Sequence, residues 1–142
     1  ENYGFEAEKW NFSENPVDAL VIKLGANDAQ YCMGADLEES ARIPEILKER
    51  RSRFEQTAAE FLKRLTVMHP GIPVFSVYEP EMYLSSELEN AMSETGAQVI
   101  PVPLAGKQSC EGVGANGHWS VCTHARASLV LFERMKKELC LP

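Results

Sequence analysis

Residues Val17 to Leu24 read VDALVIKL, a near-continuous apolar run introduced by Asn15-Pro16 and closed by Gly25. A run this short, bounded by turn residues, predicts a strand buried on both faces, as in parallel sheets. Such a strand needs a neighbour along each edge, because a bare hydrophobic edge invites aggregation. That requirement constrains everything downstream.

The elements that follow suit a parallel sheet. A loop is expected from Gly25 to Gly34. From Pro44, a good first helical residue, a long helix should run towards His69. Its apolar positions Leu47, Phe54, Ala58, Phe61, Leu62 and Leu65 share one stripe, and Pro70-Gly71 stops it. A second strand, Ile72 to Tyr78, leads through Glu79-Pro80 into a short helix near Ser85 to Glu94, which Gly96 ends. A third strand, Gln98 to Pro103, precedes a glycine-bearing loop from Leu104 to Gly117. The last helix should run from Ser120, its N-cap, to Leu139, with Ala125, Leu129, Phe132 and Met135 inward. Strand and helix alternate three times, which predicts an α/β, flavodoxin-like three-layer αβα sandwich around a parallel sheet. Three strands make a small sheet, so the sheet reads as incomplete, with something else supplying the missing strands.

Composition removes several function classes. The net charge of −7 argues against a nucleic-acid partner, which calls for a basic face. The basic clusters Lys48 to Arg51 and Arg134 to Lys137 read as solvated helix faces. No apolar run is long enough to span a membrane. Cys32, Cys110, Cys122 and Cys140 lack the close pairs of a structural zinc site, so no metal is expected. Four cysteines with the sequon Asn11-Phe12-Ser13 point to a secreted, disulfide-bearing chain. The first residues have no signal-peptide character and no initiator Met, which suggests an N-terminus made by processing.

In open α/β sheets, ligands bind beyond the carboxyl ends of the strands. Two segments fall there. Gly25-Ala26-Asn27-Asp28 follows the first strand, and Gly114-Ala115-Asn116-Gly117-His118 precedes the last helix. Each alone could be a turn. A strand followed by G-x-N-D, then α/β sequence, then G-H-x-S opening a C-terminal helix, resembles the SGNH/GDSL hydrolases. The match is to their third and fifth sequence blocks and covers nearly all of this chain. Trp10 to Ser13 and Gly117 to Ser120 are most similar to the carbohydrate esterases of that superfamily.

The resemblance implies roles. Asn27 would donate its side-chain amide to the oxyanion of a tetrahedral intermediate. Gly25 would let the loop turn, and Asp28 would hold it by side-chain-to-backbone bonds. His118 would be the general base that takes a proton from a Ser and returns it to the leaving alcohol. His69, at a helix C-terminus, and His124, inside the last helix, are the weaker candidates. No metal or organic cofactor is implied.

Three departures stand out. The family's Asp before the His is replaced by Asn116 or Ala115, leaving at most a carbonyl to orient the imidazole. The residue after the His is Trp119 in place of Pro, either lining an acyl or sugar pocket or simply packing. The nucleophilic Ser and its strand are missing, so no nucleophile is assigned in this chain. The expected molecule is a two-piece ester hydrolase that deacetylates or deacylates a carbohydrate ester. Its nucleophile would sit on an N-terminal fragment cleaved before Glu1. Of the three cysteine pairings, one linking Cys110 to Cys122 would brace the His118 loop and leave Cys140 for the partner piece. The alternative is a non-catalytic carbohydrate-binding or structural module on the same fold. A flavodoxin-like small-molecule binder is weaker, since G-A-N-D is too short and acidic to cradle a phosphate.

Overall fold

The computed structural model describes residue 14 and residues 16–106, 111–115 and 118–141. Three parallel strands lie in the order β1 (Leu20–Lys23), β2 (Val74–Tyr78), β3 (Val99–Pro103). Leu20 pairs with Val74, and Val74 with Val99, so the carboxyl ends of all three strands come out together. Helices α2 (Pro44–Met68) and α3 (Ser85–Ser93) connect them, and α4 (Val121–Glu138) follows β3. The three-layer α/β arrangement expected from the alternating pattern is present.

The layers follow from the strand alternation. Leu20 and Ile22 of β1, Val74 and Tyr78 of β2 and Val99 of β3 face α2 and α3, meeting Ala59, Leu62, Leu88, Ala91 and Met92. Phe75, Val77, Ile100 and Val102 face the other way and pack on Ala127, Leu131 and Met135 of α4. Helix α2 begins with Pro44 at its first position and ends at His69, one residue before Pro70. The His69 amide closes on Leu65, and its carbonyl accepts from the Gln98 amide at 2.6 Å.

Four expectations need correction. The segment after β1 is a helix, α1 (Ala26–Cys32), which buries Ala29 and Cys32 against Leu84. Its apolar residues are too few for a helical period to be read from sequence. Strand β1 is shorter than Val17–Leu24 and, among the described residues, pairs along one edge, with Val21 47% exposed. Helix α4 carries two apolar stripes, and the inward one is Ala127, Leu131 and Met135. Ala125, Leu129 and Phe132 face outward, with Leu129 65% exposed. Finally, Arg50 and Arg51 are not a solvated face. Arg50 forks onto Asp36 at 2.6 and 3.1 Å, and Arg51 pairs with the buried Glu87 of α3.

Candidate functional site at the carboxyl ends of the strands

Gly25 starts the site. It has φ 97, in the left-handed region where a side chain is strained, and it is the N-cap of α1. A Cβ there would meet Met82 Cε and Phe54 Cζ, both at 3.3 Å. The glycine therefore lets the backbone reverse directly out of β1 against packed side chains. Asn27 and Asp28 then fall in the first turn of α1, both exposed. No hydrogen bond of the Asp28 carboxylate is found among the described residues. An acid in the first turn is favoured by the helix dipole.

At the other side of the site, the chain before α4 closes a tight turn. The Gly114 amide donates to the His118 carbonyl at 2.9 Å, and the His118 amide to the Ala115 carbonyl at 3.0 Å. An antiparallel bridge pairs Val113 with Trp119. Gly114 is required by this approach, because a Cβ on it would lie 2.6 Å from the Trp119 carbonyl oxygen. His118 itself is exposed. Asn116, Gly117 and Cys110 lie outside the described residues, as do Trp10 to Ser13.

The turn is anchored from its own layer. Ser120 caps α4 by accepting from the Thr123 amide at 3.1 Å, and the Thr123 hydroxyl donates to Glu111 at 2.9 Å. Arg126 grips the same carboxylate at 2.6 Å through Nε. Its Nη2 also donates to the carbonyls of Ala105 and Gly106, at 3.0 and 2.7 Å. The Glu111 side chain is only 9% exposed, so this charge-assisted network is largely shielded from water.

A second anchor comes from β1. Lys23, its last residue, places Nζ 3.8 Å from the centre of the Trp119 ring and 3.1 Å from Glu79 Oε1, just beyond β2. His124 meets the same indole edge-on at 5.4 Å. Trp119 also packs against the core between β2, β3 and α4. One face of the indole is thus taken by an ammonium group and another part by the core. Of the two readings of Trp119, packing is the one the geometry gives.

The Lys23 contact links the end of β1 to Trp119, about ninety residues on in the chain. Gly25, Asn27 and Asp28 leave the end of β1, and Trp119, next to His118, is held on that same end by Lys23. His69 is buried at the end of α2, away from the G-A-N-D turn in sequence and capping a different element. Sequence reasoning missed Lys23, Glu79, Glu111 and Arg126, and it named Gly114 without the close backbone approach that requires it. Lys23 was legible in part, as the one cation in an otherwise apolar and acidic strand.

Near the open side of β1, a cavity of about 350 Å³ lies between β1, α1 and α2. It is lined by Ile22, Leu24, Phe54, Ala58, Phe61 and Leu62, with Asp28 and Arg53 among its polar residues. The Cys32 thiol lines it too. Burial pushes that thiol above its ordinary range, with the Asp28 charge adding to the effect. Cys32, Cys122 and Cys140 are free thiols, the last two exposed. Among the described residues no three His, Cys, Asp or Glu side chains converge as metal ligands would, and no helix is long and apolar enough to cross a membrane. No protein-family model, curated protein or solved structure matches this chain.

Proposed function

We propose that the chain is the C-terminal part of a serine ester hydrolase of SGNH/GDSL type, acting on an acylated carbohydrate. Asn27 is the oxyanion donor, His118 the general base, and the nucleophilic Ser resides on a separate N-terminal piece. The observation that carries this reading is the contact of Lys23 with Trp119. It draws the His118 turn to the strand end from which Gly25 and Asn27 depart.

The open edge of β1 supports a missing piece. Among the described residues β1 pairs only with β2, and Val21, Leu24 and Phe61 remain 40% to 52% exposed. The connection rules say what could cover them. Both β1–α2–β2 and β2–α3–β3 step in one direction with their helices on one face, as right-handed crossovers do. A helix laid on the opposite face, beside the outward stripe of α4, must connect strands that step the other way. The resemblance implies that the missing N-terminal part supplies two strands, and the inner one would lie against β1. On this reading the carboxyl end of that inner strand, where the nucleophile belongs, adjoins Gly25 to Asp28. Cys140, exposed past the end of α4, is available to bond the partner piece.

Treating the native, non-reduced protein with a fluorophosphonate probe tests the reading, with intact mass taken before and after reduction. The expected result is a larger species, labelled once, that separates into this chain and a labelled second piece. His118→Ala in the assembled protein should abolish hydrolysis while leaving the fold intact. A single unlabelled mass equal to this chain refutes the two-piece enzyme. The second reading, a binding or structural module, would then stand. Ala115 and Asn116 in place of an Asp before His118 favour it.

A further inference from the structure

Resting on that esterase reading, we propose that Lys23 is a positioning residue for His118, acting through Trp119. The chain of contacts is short. Glu79 Oε1 fixes the Lys23 ammonium at 3.1 Å, and the ammonium sits 3.8 Å over the Trp119 ring. The other Glu79 carboxylate oxygen lies near Gly106, 3.0 Å from where a Cβ on that glycine would be. Trp119 is bonded covalently to His118 and bridges back to Val113, so a displaced indole carries the His118 backbone with it.

Two features make this more than surface decoration. Lys23 leaves β1 two residues before Gly25, so one strand end sets both the G-A-N-D turn and the indole. The cation is also chemically suited to its task. An ammonium over an indole face is attracted by the ring quadrupole, and a nearby carboxylate keeps it in one place. Glu111 and Arg126 hold the start of α4 to the loop after β3. Lys23 and its partner Glu79 add a tie from β1.

The test compares Lys23→Met, which keeps the aliphatic stem and removes the charge, with Lys23→Arg, which keeps a cation able to stack on the indole. In the native protein, Lys23→Met should lower kcat about tenfold with KM unchanged, since small misplacements of a catalytic group are costly. Lys23→Arg should recover most of that loss. In parallel, NMR spectra follow the Trp119 indole N–H and the His118 ring Cε1–H of the full chain. Both signals should shift in Lys23→Met and return towards the parent positions in Lys23→Arg. Unmoved signals overturn the proposal whatever the turnover does. Shifted signals with unchanged kcat overturn the positioning role. A parent protein that neither hydrolyses esters nor takes the fluorophosphonate label refutes the esterase reading, and Lys23's role with it, by a result distinct from either.

Discussion

Gly114→Ala is the sharpest perturbation of the His118 turn. The added methyl would sit 2.6 Å from the Trp119 carbonyl oxygen, 3.2 Å from its carbon and 3.3 Å from the His118 carbonyl oxygen. All three are backbone atoms, so no side chain can swing aside. Reaching ordinary contact near 3.4 Å requires the Trp119 carbonyl to retreat by about 0.8 Å. The Gly114-to-His118 hydrogen bond, 2.9 Å in the parent, must lengthen or break with it. A displacement of about 1 Å at a catalytic group costs about 10²-fold in rate. On the proposed esterase reading, kcat/KM for ester hydrolysis is therefore expected to fall by about two orders of magnitude, with faster hydrogen exchange at the residue-114 amide. Gly71→Ala is the control. That glycine has φ 78 and open space around it, so alanine is strained there without touching the site. It should cost about 1 kcal/mol of stability and leave turnover alone. A Gly114→Ala protein with the parent's rate and a still-protected amide would refute the turn as the carrier of His118.

Two other outcomes follow from named groups. Glu111→Ala removes a nearly buried acceptor from Thr123 and Arg126, and charge-assisted bonds of this kind contribute about 2 kcal/mol. Thermal melting should show a Tm lower by about 6 °C, and the first turn of α4 should exchange faster. Burial pushes the Glu87 carboxyl up, but hydrogen bonds from its own backbone amide and from Arg51 outweigh it and hold the group below the usual carboxylate range. Its contribution to stability is therefore present above the unfolded value, about 4.3, and disappears as pH falls through the lower folded value. Denaturant titrations should show Glu87→Gln flattening that acid loss, and a parallel acid limb in both proteins would contradict it.

Much of the fold was legible because its periodicities are strong. Pro44 and Pro70 bracket α2 in the sequence, and the β2 run Val74 to Tyr78 is buried at every position. What escaped reading has identifiable causes. Helix α1 has seven residues and begins at a glycine that also reads as a plain turn. On α4 the residues at 125, 129 and 132 and those at 127, 131 and 135 both make helical stripes. Hydrophobicity cannot choose between them. Thr123 and Arg126 converge on Glu111, and Ser120 caps the helix through Thr123, which together fix the rotation of α4.

The candidate site was legible in its two ends and not in what joins them. Gly25 to Asp28 and His118 announce themselves by glycine, amide and imidazole at strand and helix boundaries. Lys23 and Glu79 do not, because an ion pair between residues fifty-six apart leaves no local pattern. Their placement nonetheless follows from the parallel sheet. Register pairs Lys23 with Val77, so the residues just past each strand end are neighbours in space. A long cation at one strand end then spans to whatever follows the others. Among the described residues β1 is also the strand with no partner along its outer edge. In the proposed two-piece enzyme the partner's inner strand would pair along Leu20 to Lys23 and fix the stem from which Lys23 reaches Trp119. Assembly and the His118 turn would then be coupled through one residue. The Trp119 indole signal should accordingly sharpen when the N-terminal piece binds, and a signal indifferent to that piece would uncouple the two.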